Sequence, residues 1–205
     1  MQNINKIIAK DETLSEIHYE LSADVDIVVE QNASYDALIL QTGQNLNLTV
    51  HLTGENAKCD VRVVYLSATD KNNGLNIKIL HEHQKTYSSQ KVRGLLAGRG
   101  KTVYDGMVRM NHNCILSEGY QNHQAVLLSD DASVQCTPFL EIYADDVKCS
   151  HGSAIGSFDE KQLFYLMTRG LSRAESRKLL MKGFLKDLAG DTFEKEIDNW
   201  INSHE

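Results

Sequence analysis

The sequence predicts a mainly β chain that ends in a small C-terminal α-helical domain, and three observations carry that reading. From Asp24 to Met110 the apolar residues fall in short alternating runs, the period of strands with one buried face. Turn chemistry separates the runs, at Thr42-Gly43, Thr53-Gly-Glu-Asn56, Asp70-Lys-Asn-Asn-Gly74 and Gly98-Arg-Gly100. Beyond Ser157 the period changes to that of amphipathic helices. The boundary is therefore drawn between residues 1–156 and 157–205.

Residues 1–20 carry little pattern, and Asp11 to Tyr19 fits a short strand or a short helix. The strand-like runs that follow are Val25–Glu30, Ala37–Gln41, Leu46–Leu52, Cys59–Leu66, Leu75–Glu82, Lys91–Leu96 and Thr102–Met110. Leu46-x-Leu48-x-Val50-x-Leu52 and Val61-x-Val63 alternate strictly. A further run starts at Leu140, with Leu140, Ile142 and Ala144 on one side and Glu141 and Tyr143 on the other. Asp145-Asp146 makes a corner, after which Val147, Cys149 and His151 share a face. Gly152 and Gly156 are expected to end that strand. Ser157-x-x-Glu160 and Ser172-x-x-Glu175 read as capping boxes, with helix from Gln162 to Met167 and a stop at Arg169-Gly170. Leu171, Leu179, Leu180, Phe184, Leu185 and Leu188 form the apolar face of a second helix that closes at Gly190. Asp191 to Asn202 forms a third, with Phe193, Ile197, Trp200 and Ile201 as its stripe.

Such strands fit an antiparallel sandwich or a β-solenoid. No exact repeat chooses between them, although a single proline, Pro138, favours continuous ladders, because proline cannot donate to one.

Cys149-x-His151 is the sharpest chemical signal. Thiolate and imidazole both suit iron or an iron–sulfur cluster, but two ligands leave a four-coordinate metal half satisfied. A closed site would need ligands from another chain. His81-x-His83 has the spacing of a second pair on one strand face. His51, His112 and His123 have no ligand partner at a telling distance. Cys59, Cys114 and Cys136 read as small buried hydrophobes. Gly98-Arg-Gly-Lys-Thr102 imitates the end of a phosphate-binding loop but lacks the earlier glycine, Leu95 standing in its place, and leads into a strand. Adjacent strand residues point oppositely, so Asp145-Asp146 cannot flank one bond as a carboxylate dyad.

The segment Ala144 to Gly152, ADDVKCSHG, is followed by Asp159-Glu160-x-Gln162-Leu-Phe-Tyr-Leu166-x-x-Arg169-Gly170. Together they closely resemble the C-terminal signature of the SufD/SufB family, scaffold subunits of iron–sulfur cluster assembly. A weaker resemblance extends upstream to about Ala37. It implies a right-handed parallel β-helix followed by a small helical domain. It also implies a non-catalytic scaffold that docks a SufC-like ABC-type ATPase and a SufB-like scaffold or a second copy of itself. The histidine at the position of His151 is implied to act at the scaffold interface. The expectation is a transient cluster or iron at that interface on His151 and Cys149, with no permanently bound cofactor. ATPase docking is expected in the C-terminal helices, with Leu179, Leu180 and Phe184 shared between the β-helix and the ATPase groove. SufB-type chains carry a functional cysteine near Gln124 and a glutamate where Gly152 stands, so this chain resembles SufD. Members usually carry a long region before the β-helix; this chain is expected to close its lower end with a brief cap or a partner. A polysaccharide-acting β-helix enzyme and a stand-alone homodimer are the alternatives.

Composition bounds the rest. The chain has 205 residues, of which 41% are hydrophobic, enough for one β-rich domain with an appendage. Its net charge of −7 argues against nucleic acid or an anionic membrane surface as partner. From Glu160 onward eight Lys/Arg meet eight Asp/Glu, so the acidic excess lies in the β body. No run of about 18 apolar residues and no signal-like start occur, and four irregularly spaced cysteines suit a reducing cytoplasm.

Overall fold

The computed structural model describes residues 2–204; Met1 and Glu205 lie outside the described residues. Strands come first: β1 (Gln2–Ile8), β2 (Thr13–Tyr19), β3 (Ala23–Val29), β4 (Ser34–Gln41), β5 (Asn45–Leu52), β6 (Lys58–Ser67), β7 (Asn73–His81), β8 (Tyr87–Leu96), β9 (Lys101–Met110), β10 (Glu118–Leu127), β11 (Ser133–Ile142) and β12 (Lys148–Gly156). Helices α1 (Glu160–Thr168), α2 (Arg173–Ala189) and α3 (Glu194–His204) follow. Odd strands form one six-stranded sheet in the order β1-β3-β5-β7-β9-β11, and even strands form the other, β12-β10-β8-β6-β4-β2. Every pairing in both ladders is parallel. The chain is a parallel β-helix of two facing sheets, and the antiparallel sandwich is excluded.

Alternation explains the interior. Val25, Ile27 and Val29 of β3, Leu46, Leu48, Val50 and Leu52 of β5, and Val61 and Val63 of β6 all point between the sheets and are buried. Each such side chain contributes roughly 1.5–3 kcal/mol when buried. The outer face of the odd sheet is polar, with Asn3, Asp24, Asn47 and Asn76 in register and Asn47 Nδ2 donating to Asp24 Oδ1 at 2.7 Å. The even sheet differs. Leu38, Leu40, Val64, Leu66, Leu95 and Val126 emerge on its outer face and are covered by Met181, Leu185 and Leu188 of α2 and Ile197, Trp200 and Ile201 of α3. This second buried face turns Ala37–Leu40 and Val63–Leu66 into continuous apolar runs. Arg93 on β8 fastens α2: its Nη1 donates to the Phe184 carbonyl at 2.7 Å, and its Nη2 lies 2.5 Å from Asp187.

The repeat that the sequence hides is conformational. Asp11, Asn32, Asn56, Lys85, Leu116 and Asp146 all have positive φ, between 54° and 64°. They occupy the same bend of successive coils, where the Asn32 amide donates to the Glu55 carbonyl and the Leu116 amide to Asp146. Asn56 Nδ2 donates to Asn32 Oδ1, and Asn32 Nδ2 to Asp11 Oδ1, so the column is also a side-chain ladder. Left-handed backbone favours Asn and Asp and is costly for other residues, which is why Asp145-Asp146 could be read as a corner and Leu116 could not.

Several boundaries differ from expectation. The first twenty residues are two strands, and β10 was absent from the sequence reading because Gly119, Gln121 and His123 occupy its inward face in place of apolar residues. Strand β12 runs through Gly152 to Gly156. Helix α1 is capped by Asp159, whose carboxylate accepts from the Lys161 amide, and not by a Ser157 box. Helix α2 has the Ser172–Glu175 box as expected. Helix α3 starts at Glu194, because Phe193 before it is left-handed, with φ 64°.

Leu116 is 55% exposed in its left-handed bend. Replacing it by asparagine is expected to stabilise the fold by about 1 kcal/mol and raise Tm by about 2–4 °C. A thermal melt in which Leu116→Asn lowers Tm would refute the strain assignment.

Candidate functional site at the open end of the stack

Among the described residues the last strands, β11 and β12, each have one neighbour, β9 and β10 respectively, so their far edges carry unpaired backbone groups. Pro138 lies in β11, where a strand with one neighbour tolerates a missing N–H. Register decides which side chains face inward. Cys149 pairs with buried Gly119, His151 with buried Gln121, and Ser153 with buried His123. The thiol and imidazole therefore share the inward face, as their spacing predicts. His151 is exposed because no coil lies above it among the described residues. Cys149 is half-buried, with its Sγ 3.4 Å from Met110 Sδ in a small cluster with Val108, Met110 and Cys114. Burial pushes the Cys149 thiol up.

Under this mouth the interior turns polar. One inward column reads Ala37, Val61, Gln90, Gln121, His151 from coil to coil, and the next reads Ile39, Val63, Val92, His123, Ser153. Gln90 and Gln121 both donate to the Tyr104 hydroxyl, at 2.9 and 3.1 Å. The ring of His123 stacks on that of Tyr104 at 4.9 Å, and its Nε2 lies 3.0 Å from Tyr65 Oη. Its Nδ1 is 3.2 Å from Ser153 Oγ, which donates to Cys136 Sγ at 3.2 Å. A hydrogen-bonded chain thus links Tyr65 in the interior to Cys136 on the terminal strand. Two glycines make room for it: a Cβ on Gly94 would lie 1.9 Å from the Tyr65 ring, and one on Gly106 would lie 1.9 Å from Gln121 Nε2. The Oε1 atoms of Gln90 and Gln121 are buried without a partner.

The polar rung was missed from sequence because its hydrogen-bonded partners lie 14 to 58 residues apart and meet only through coil register. Cys59 and Cys114 are buried as expected, whereas Cys136 is half-buried in the rung. His81-x-His83 is not a ligand pair. His81 is fully buried, with Nδ1 on Thr86 Oγ1 and Nε2 on Ser88 Oγ, both at 2.7 Å, while His83 lies past the end of β7. Among the described residues no group of three or more His, Cys, Asp or Glu is placed to hold a metal ion.

Leu179, Leu180 and Phe184, expected to be shared between the β body and a docking groove, all lie on α2. Phe184 faces the β body under the Arg93 guanidinium, 5.3 Å from the ring centre. Leu179 is half-exposed beside Lys182, Lys186 and Ile197, and Leu180 lines a groove with Tyr165 and Leu166. The larger apolar exposure is on α1, at Phe164 (68%) and Tyr165 (57%). The unusual density of aromatics in Gln162 to Met167 was the available signal.

A family model described as "SUF system FeS cluster assembly, SufBD core domain" matches residues 10–184. The chain belongs to the SufBD family. The Escherichia coli (strain K12) protein named "Iron-sulfur cluster assembly protein SufD" is 32% identical over 144 residues, which is 69% of this chain and 34% of that protein. "Protein ABCI7, chloroplastic" of Arabidopsis thaliana is 30% identical over 179 residues, 85% of this chain and 38% of its own. The Bacillus subtilis (strain 168) SufD is 24% identical over 143 residues, 70% and 33% of the two chains. This SufBD chain thus spans about a third of the length of these relatives. Among the described residues no helix is long and apolar enough to cross a membrane.

Burial pushes His81 and His123 down to about 4, so each stays neutral in the folded SufBD core. The unfolded chain takes up a proton on each near 6.5, and the folded chain only near 4, so stability falls as pH drops through that window. Each imidazole is expected to remove up to about 3 kcal/mol by the acid end of it. Urea midpoints at pH 7 and pH 5 should differ, and His123→Gln should narrow the difference. An unchanged difference in that variant would contradict a neutral buried His123.

Proposed function

We propose that this chain is a SufD-like, non-catalytic scaffold subunit of cytoplasmic iron–sulfur cluster assembly. The observation that carries the reading is the open end, where two unpaired strand edges frame His151 and Cys149 on the inward face. Free edges add strands from a partner through main-chain hydrogen bonds. The partner is a second β-helix end, from a SufB-like scaffold or another copy of this chain. Iron or a nascent cluster is the cargo. His151 offers it an exposed imidazole and Cys149 a half-buried thiol, and the partner supplies the remaining ligands. The four free cysteines support a reducing compartment.

The C-terminal helices dock a SufC-like ABC-type ATPase, with Leu179 and Leu180 on the exposed side and Phe184 anchoring α2 to the body. The aromatic surface of α1 at Phe164 and Tyr165 extends this docking face. Because α2 and α3 share one core with the even sheet, a bound ATPase acts on the β body itself.

His151→Ala is expected to leave the fold and the complex intact and to lower iron and sulfide content severalfold in the co-expressed assembly. Cys149→Ser should be milder. Equal cluster content at matched complex formation would remove His151 from the cargo site. For docking, Phe164→Asp with Leu179→Asp should weaken ATPase pull-down by about tenfold or more, as loss of buried anchors does. Unchanged affinity would move the ATPase off this surface.

A further inference from the structure

The polar rung holds a buried acceptor directly beneath His151. Gln121 of β10 is 3% exposed, and its Oε1 has no hydrogen-bond partner. Buried carbonyl oxygens are almost always paired, so an orphan calls for a cause. The other end of the same amide is held. Its Nε2 donates to the Tyr104 hydroxyl at 3.1 Å. It fits there because Gly106 has no Cβ, which would lie 1.9 Å from that nitrogen. The two ends of a planar amide diverge, so Oε1 is turned away from Tyr104.

The surroundings leave one donor for that oxygen. Below Gln121 in the column lies Gln90, whose Nε2 is also committed to Tyr104 and whose Oε1 is itself an orphan acceptor. On the inward face of β10 its neighbours are Gly119, with no side chain, and His123, whose two ring nitrogens face Tyr65 Oη and Ser153 Oγ. Across the interior, Pro138 is the register partner of Gly106 and has no N–H. Above Gln121 stands its register partner on β12, His151, one strand spacing of about 4.8 Å away. The neutral imidazole carries an N–H. Among the described residues the His151 ring makes no hydrogen bond.

We propose that Gln121 is a positioning residue for His151: its Oε1 accepts the ring N–H when cargo takes the other ring nitrogen. The proposal rests on the cargo role given to His151 above. A metal-bound histidine almost always donates its second ring N–H to an acceptor, which fixes the ring and its tautomer and makes the ligating nitrogen more basic. His151 has no such support on its own strand, since Ser153 is engaged with His123 and Cys136. Gln121 supplies it from the coil below, already desolvated and already oriented through Tyr104. A neutral amide does this without placing a charge in the interior, where an unpaired one is costly.

The test uses the full-length chain with Zn2+ as a diamagnetic probe. Binding is read at the His151 ring resonances by NMR, assigned with His151→Ala, and circular dichroism checks the fold. Gln121→Met removes the amide at nearly constant volume and leaves Gln90 on the Tyr104 hydroxyl, so the rung persists. Zn2+ affinity at His151 is expected to fall about tenfold or more, the usual cost of losing such a support. Gln90→Met is the matched control, with the same bond to Tyr104 and the same orphan Oε1. It lies one coil further down, about 10 Å from His151, and should change the affinity by less than about twofold. Native affinity in Gln121→Met overturns the proposal. So does an equal loss in Gln90→Met, which would mark a general loosening of the rung. If Gln121→Met does not fold, Gln121→Leu is read by the same outcomes. A His151 ring that ignores Zn2+ in the native chain would remove the cargo reading as well, whereas binding that does not depend on Gln121 removes this inference alone.

Discussion

The structure depends on one constraint, the in-register parallel ladder that stacks coil on coil. Parallel pairing carries each inward residue directly over the inward residue of the coil below, so side chains are organised in columns. A residue is buried only if the next coil covers it. Gln121 and His151 occupy the same column, one buried and the other exposed, and the difference is that β12 has no strand beyond it among the described residues. The exposure of His151 follows from its place in the stack and needs no special loop.

The same constraint explains where polarity is concentrated. Lower and middle coils fill their columns with Val, Ile and Leu, and that apolar mass supplies the stability that the upper rung does not. A buried polar group without a partner costs about 1–3 kcal/mol. Most of the rung around Tyr65, Tyr104 and His123 avoids that cost by hydrogen-bonding within itself. Only the Gln90 and Gln121 carbonyls lack partners there. The network is rigid and neutral, and it sits immediately beneath the open strands. It therefore forms the floor of the mouth.

The helices make a third layer. Leu185 and Trp200 are packed on leucines and valines of the even sheet, and the Arg93 clamp joins α2 to β8. Strand β8 pairs with β10, and β10 with β12. The helical layer and the open end thus belong to one hydrogen-bonded sheet.

The sequence alone determined the element types, most strand positions, the Ser172 cap, the shared face of Cys149 and His151, and, through its signature, the family. Those features are local: alternation, turn residues and a capping box act within a few residues. Tertiary structure decided the rest. Strand β10 was invisible because inward glycine, glutamine and histidine mask the alternation, and they are tolerated only because Tyr65 and Tyr104 reach them from other coils. Leu116 could not be read as a turn because its left-handed φ is imposed by the bends stacked beside it. The rung of Tyr65, Tyr104 and His123 follows from register, which links residues distant in the chain. Local sequence specifies which way a side chain alternates; only the assembled stack specifies what lies above it.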